Sequence, residues 1–192
     1  MLATLLTYFK SSEPAYSVDP LASQAAVLIP ITDEAEPCVI LTRRATHLKS
    51  HAGEVAFPGG KRDATDPSLV YTALRESEEE IGLSPKVVEV LGMLHPKQSR
   101  WGVMVTPFVG KVPPNLALTP NLDELDSIFS VPLRFFLDNA PNSSMQTEVF
   151  GQKFRVPSYQ YGEYTIWGLT AFILVDLLNR VYDANIDLIV KE

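Results

Sequence analysis

Three glutamates in one short segment, Glu76, Glu79 and Glu80, are the residues of this sequence best suited to chemistry. Placed on a helix at about 100° per residue, they share one face beside an apolar stripe. Like charges four residues apart cost roughly a few tenths of a kcal/mol, and the C-terminal half of a helix favours cations. A divalent metal ion would offset both effects, because Mg²⁺ and Mn²⁺ prefer hard oxygen ligands. The alternative is a solvated acidic face, which is the commoner meaning of an isolated run of charges.

Residues upstream of these glutamates favour the metal-site interpretation. Gly59 and Gly60 follow a short predicted strand, and a loop of this kind can present backbone N–H groups to a phosphate. A basic cluster precedes the glycines and comprises Arg43, Arg44, His47, Lys49 and His51. Loop amides, cations and a carboxylate-held metal are the parts needed to bind and cleave a phosphoric anhydride.

The segment from Gly60 to Leu83 resembles the Nudix box, G-x5-E-x7-R-E-U-x-E-E-x-G-U, in which U is aliphatic and x is any residue. Its end, Arg75-Glu76-Ser77-Glu78-Glu79-Glu80-Ile81-Gly82-Leu83, matches closely, with Ser77 at an aliphatic position. The front departs from the pattern, because one extra residue separates the glycine from the arginine. The internal glutamate is absent, and either Asp63 or Asp66 stands near its place.

The segment from Ile40 to Gly60 is similar to the signature of Nudix coenzyme A pyrophosphatases, L-L-T-x-R-[SA]-x3-R-x3-G-x3-F-P-G-G. Every spacing agrees, and two residues are exchanged: Ile40 replaces leucine and Lys49 replaces arginine. The resemblance implies hydrolysis of coenzyme A to 3′,5′-ADP and 4′-phosphopantetheine. Two alternatives stay open, a Nudix hydrolase of another nucleoside diphosphate conjugate and a Nudix-fold binding module without turnover. The retained glutamates of the box favour catalysis over the binding module.

The resemblance also implies roles for individual side chains. Glu76 and Glu80 would hold Mg²⁺ or Mn²⁺, with Glu79 adding a further contact. Either Glu79 or Glu124 would serve as the base that activates water, while Arg75 would anchor the catalytic helix rather than touch substrate. The candidates for binding the small-molecule substrate are Arg43, Arg44, Lys49, His51, Gly59 and Gly60. The segment from Tyr164 to Thr170 is similar to the family's usual continuation, and its part from Trp167 to Thr170 is interpreted as helix packing.

Hydrophobic patterning predicts the elements that must position these residues. Helices are expected up to Lys10, from an Asp66 N-cap with Pro67 in the first turn to Ile81, and from Leu169 to Tyr182. Strands are expected over 25–31, 38–43, 54–57, 87–94, 103–112, 128–131, 147–150 and 153–156, the first pair and the last pair forming hairpins. This pattern implies an α/β sandwich around a mixed β-sheet, which is also the Nudix-type fold.

Length and charge limit what the chain can be. Its 192 residues suit one domain, with a short N-terminal helical extension and linker over about residues 1–20. A net charge of −7 disfavours nucleic acid as a partner, because there is no excess of cations to replace counterions.

No apolar run is long enough for a membrane span and no secretory signal is recognisable, so a cytoplasmic location is expected. Cys38 has no partner for an internal disulfide. The oligomeric state stays open between a monomer and a homodimer.

Overall fold

The computed structural model describes residues 1–11, 24–149 and 152–190. The helices are α1 (Leu2–Ser11), α2 (Leu69–Ile81), α3 (Leu133–Asp138) and α4 (Gly168–Tyr182), with a 3₁₀ turn at Pro85–Val87. The strands are β1 (Gln24–Thr32), β2 (Cys38–Arg44), β3 (Val55–Ala56), β4 (Gly59–Lys61), β5 (Glu89–Met93), β6 (Lys97–Gln98), β7 (Met104–Val112), β8 (Leu125–Pro132), β9 (Asn142–Val149), β10 (Gln152–Tyr161) and β11 (Tyr164–Trp167). Most of the predicted linker before Pro20 lies outside the described residues.

An eight-stranded mixed sheet forms the centre of the molecule, with the strand order β3-β2-β1-β7-β5 along its main path. Strand β1 pairs in parallel with β7 from Gln24 beside Met104 to Thr32 beside Val112, and antiparallel with β2 and β4. Strand β8 pairs antiparallel with β2. The predicted α/β architecture around a mixed sheet is confirmed, and so is the hairpin of β1 and β2.

Alternate side chains of β1 face two separate apolar cores. Ala26 and Leu28 pack toward α2, where they join Ala73 and Ile81, while Ile29 packs on the opposite face against α4. This period of two is the geometry of a strand buried on both faces, and it explains why β1 is a continuous apolar run. Burying one such side chain stabilises the fold by about 1.5–3 kcal/mol. The two cores place α2 and α4 on opposite sides of the sheet.

A smaller antiparallel sheet consists of β9, β10 and β11. Strands β9 and β10 pair as the predicted hairpin, although its turn at residues 150–151 lies outside the described residues. Strand β11 leads directly into α4, which packs against β10 and β11. In the described part of the chain, no helix has the length and apolar character needed to cross a membrane.

The start of α2 differs from the prediction. Asp66 is not the N-cap; the helix begins at Leu69, and Ser68 caps it by accepting a hydrogen bond from the Tyr71 N–H at 3.3 Å. The predicted end is confirmed, since Gly82 adopts a left-handed φ of 67° and donates its N–H to the last turn. The N-terminal prediction failed because Ser and Asp are equally good caps and only the chain path selects between them.

Candidate active site

Glu80 lies on the side of α2 that faces the sheet, and its side chain is 7% exposed. Its Oε2 accepts a hydrogen bond of 3.0 Å from the N–H of Gly59. Burial is the main reason that the pKa of Glu80 rises to about 7, and the negative charges of Glu76 and Glu124 add to the rise. The Gly59 hydrogen bond and the guanidinium of Arg44 oppose it. A buried carboxylate with this little compensation favours a bound cation.

Gly59 and Gly60 lie in strand β4 instead of in a free loop. At Gly59 φ is +150°, and a Cβ there would lie 2.3 Å from the carbonyl oxygen of Ala26 on β1. At Gly60 a Cβ would lie 2.5 Å from Oε2 of Glu76. Both distances are shorter than real Cβ contacts: at Gly59 the clash is with backbone and requires glycine, whereas at Gly60 a side chain would force the Glu76 carboxylate to move. The Gly59 amide, which we expected to face phosphate, instead holds Glu80.

Glu76 and Glu79 have different surroundings. Glu76 is half-buried beside Gly60; burial chiefly raises its pKa, while Arg75 opposes the rise and the charges of Glu79 and Glu124 add to it. Glu79 is 58% exposed, and its Oε2 accepts a 2.9 Å hydrogen bond from Arg75 Nη1. Glu80, Glu76 and Glu79 therefore form a gradient from buried to exposed, with Glu80 the most enclosed.

Arg75 ties α2 to the segment after β4. Asp66 Oδ1 and Oδ2 accept hydrogen bonds of 3.0 and 2.9 Å from its Nε and Nη2, which is a two-pronged contact. The Asp66 side chain is 1% exposed, and mainly the Arg75 hydrogen bonds hold its pKa well below its usual range. Asp63 is 67% exposed and lies 3.8 Å from Arg75. Of the two aspartates near the place of the absent box glutamate, Asp66 is therefore the main partner of Arg75.

Glu124 lies in the turn immediately before β8, where its carbonyl accepts a 2.8 Å hydrogen bond from the N–H of Ala45. Its carboxylate acts electrostatically on Glu76 and Glu80, raising the pKa of both. The structure thus brings Glu124 to the acidic site from a distant part of the sequence. As a candidate base it is close enough for its charge to act on both of the more enclosed glutamates.

The donor set fits a hard divalent cation in its chemistry. Negative charge is concentrated at Glu76, Glu80 and Glu124. Arg44 offsets it only in part, because its Nη1 lies 3.9 Å from Glu80 Oε1. Among the described residues, however, no three His, Cys, Asp or Glu side chains form a ready-made metal cage. Glu76 Oε1 is instead held by Arg75 Nη1 at 3.0 Å, and Glu80 by the Gly59 amide. The ligands are gathered beside one another but are directed to protein partners.

The predicted basic cluster is divided between two regions. Arg44 reaches Glu80, whereas the neighbouring Arg43 pairs with Glu163 of the β10–β11 hairpin at 3.0 Å. His51 is exposed, and its Nδ1 lies 2.7 Å from Glu54 Oε2. Lys49 is exposed on the same loop. Of the four cations expected to bind substrate, Arg44 is the one that the structure places beside the acidic helix.

The structure also reveals residues that sequence reasoning missed. Glu163, Tyr164 and Trp167 line a cavity of about 420 Å³ together with Arg43. Trp167, interpreted as helix packing, is the N-cap residue of α4 and faces this cavity. The sequence marked Tyr164 and Trp167 only through the family-like segment and gave no sign that they meet Arg43, because about 120 positions separate Arg43 from Glu163.

Comparison with known proteins gives a consistent result. Residues 22–140 match the NUDIX domain model. The chain is 46% identical over 157 residues to "Uncharacterized Nudix hydrolase NudL" of Photorhabdus laumondii, covering 82% of this chain and 84% of the relative. A protein of the same description from Salmonella paratyphi B is 46% identical over 158 residues, covering 82% of each.

Solved structures agree in fold. A MutT/nudix family protein from Enterococcus faecalis superposes with a TM-score of 0.55 at 19% identity, covering 95% of this chain and 70% of that one. The Nudix hydrolase RenU from M. smegmatis gives 0.51 at 22% identity, covering 61% and 74%.

Proposed function

Because the chain belongs to the Nudix family of hydrolases, we propose that it cleaves the diphosphate of coenzyme A or its derivatives, giving 3′,5′-ADP and 4′-phosphopantetheine. One observation carries the proposal. Glu80, at the end of the Nudix box, is contacted by Gly59 and Arg44, two residues of the segment that resembles the coenzyme A signature. The two motifs therefore contribute to one site.

The box glutamates would hold the divalent ion, Mg²⁺ or Mn²⁺, with Glu76 and Glu80 as the main ligands and Glu79 as a further contact. Such an ion neutralises phosphate charge and lowers the pKa of a bound water. For Glu76 to bind the ion, its carboxylate must leave Arg75 Nη1. Arg75 would keep Asp66 as its principal partner. Arg75 would thus remain an anchor of the helix throughout.

Arg44 would bind the diphosphate. Its distance of 3.9 Å from Glu80 Oε1 exceeds hydrogen-bond length, so its guanidinium can turn toward phosphate oxygens without losing a strong contact. Glu124 would accept the proton of the attacking water, since it lies beside Glu76 and Glu80 and has no part in the Arg75 network described above. Glu79 is the second candidate base, although Arg75 already engages its Oε2.

Product identification tests the proposal. The protein would be incubated with Mg²⁺ or Mn²⁺ and separately with coenzyme A, a dinucleotide, a nucleotide sugar and ADP-ribose, and the products identified by mass spectrometry. We expect 3′,5′-ADP and 4′-phosphopantetheine from coenzyme A at the highest kcat/KM. Rapid turnover of another conjugate with coenzyme A untouched would reject the substrate assignment. Binding of a conjugate without hydrolysis under every condition would indicate a binding module.

A further inference from the structure

The cavity beside Arg43 is separate from the acidic site. Its walls come from the β2–β3 loop and from β11, and they include Gly53, Val55, Tyr164 and Trp167. A volume of about 420 Å³ falls within the range of roughly 300–1,000 Å³ typical of small-molecule sites. Arg43 and Arg44 are consecutive residues at the end of β2, so their side chains leave opposite faces of the strand. The cavity and the acidic site therefore lie on opposite sides of this strand end, and a substrate that occupied both would have to pass around it.

The charges around this cavity disfavour phosphate. Arg43 lines it together with two carboxylates, Glu54 and Glu163. The guanidinium is already engaged, with Nη1 3.0 Å from Glu163 Oε2 and Nε 3.8 Å from Asp126 Oδ2. A phosphate dianion would meet more negative than positive charge here, which opposes binding. The cavity therefore suits an uncharged group.

The cavity is rigid on its aromatic side. The Tyr164 ring stacks on Phe129 with centroids 3.6 Å apart and planes 5° apart, and Arg43 lies over its ring at 5.4 Å. A hydrogen bond of 3.4 Å from the Tyr164 hydroxyl to Ser127 Oγ also holds the ring in position. A wall held from several directions costs little ordering when a ligand binds.

Polar groups around the cavity match amides. Thr46 and Thr165 line it and carry hydroxyl groups. Apolar contact comes from Val55 and from the Trp167 ring system. A neutral chain with amides and methyl groups fits this combination of donors, acceptors and apolar surface.

We propose that this cavity binds the pantetheine arm of coenzyme A while the diphosphate lies on the Arg44 side of β2. The inference rests on the proposed function and adds the orientation in which the substrate would bind. The adenosine half is the less suitable occupant, because it carries a 3′-phosphate that would approach Glu54 and Glu163. The β10–β11 hairpin, which lies outside the matched residues 22–140, would then determine substrate specificity.

A blocked cavity tests the orientation. Thr165→Trp adds a large ring to an exposed β11 residue of the lining, and Gln146→Trp makes the same change on exposed β9, away from the cavity. We expect Thr165→Trp to raise the KM for coenzyme A about tenfold with kcat nearly unchanged, equivalent to a binding loss of about 1.4 kcal/mol. Adenosine 3′-phosphate 5′-diphosphate, which lacks the arm, should be hydrolysed equally by both variants and the parent. Equal KM values for coenzyme A in the two variants would overturn the inference.

A direct binding measurement covers the case in which Thr165→Trp fails to fold. In a Trp101→Phe background, Trp167 is the remaining tryptophan, and its fluorescence reports on the cavity. Pantetheine should change this emission saturably without metal, and adenosine 3′,5′-bisphosphate should not. The opposite preference, or no response to pantetheine, would reject the assignment. Pantetheine binding in a protein that leaves coenzyme A intact would support the cavity assignment and refute the proposed reaction.

Discussion

The amide of Gly59 donates a 3.0 Å hydrogen bond to the buried carboxylate of Glu80, joining β4 to the last turn of α2. This contact fixes the direction of a carboxylate that the sequence places on a helix but cannot aim. It also joins a glycine of the 40–60 segment to a glutamate of the Nudix box.

Glu80→Gln should lower turnover by about a hundredfold or more, because an amide keeps the Gly59 hydrogen bond but loses the negative charge. The thermal unfolding midpoint should stay at or above that of the parent, since the buried charge is removed. Steady-state rates and circular dichroism would measure both effects. Glu78→Gln, on the exposed side of the same helix, is the matched control and should retain full activity. Undiminished hydrolysis in Glu80→Gln would contradict the metal assignment.

Gly60→Ala should reduce kcat by about tenfold to a hundredfold, since the added methyl displaces the Glu76 carboxylate and small misplacements are costly. The comparison variant is Gly162→Ala, whose added Cβ meets no atom within 4 Å. That variant should lose some stability from its φ of +57° but keep its turnover. Equal kinetics in the two variants would show that the contact between Gly60 and Glu76 is unimportant.

Asp66→Asn should lower the thermal unfolding midpoint at pH 7 by several degrees, because it removes the charge of the two-pronged contact with Arg75. Asp63→Asn should change it little, as Asp63 is 67% exposed. Unfolding followed by circular dichroism distinguishes the two substitutions. If Asp63→Asn proved the more damaging, the pairing of Arg75 with Asp66 would be refuted.

The stability difference between the parent and Asp66→Asn should depend on pH in a definite direction. The folded protein holds the pKa of Asp66 well below its usual range, so this carboxylate stabilises the fold above its unfolded pKa of about 3.9. That contribution falls as the pH drops below about 4. The gap between the two unfolding midpoints should therefore begin to narrow below about pH 4 and be smaller at pH 3 than at neutral pH. A gap that stayed constant over this interval would exclude Asp66 ionisation as its source.

Local sequence patterns were sufficient for much of the fold. The apolar run of β1, the left-handed end of α2 at Gly82 and the spacing of Glu76 and Glu80 depend on neighbours within one element. Each of these features was predicted, because strand and helix periods alone determine which side chains share a face. Ser68 shows the limit of such reasoning, since it replaced Asp66 as the cap.

The amino-acid sequence by itself determined the family, the mixed α/β architecture and the cluster of acidic side chains on α2. Only the tertiary structure decided that Asp66 rather than Asp63 makes the hydrogen bonds to Arg75, and that Arg43 and Arg44 contact different parts of the molecule. It alone brought Glu163 to Arg43 from 120 residues away. The reason is physical: motif spacing specifies positions along one element, whereas burial and charge pairing depend on which elements pack together.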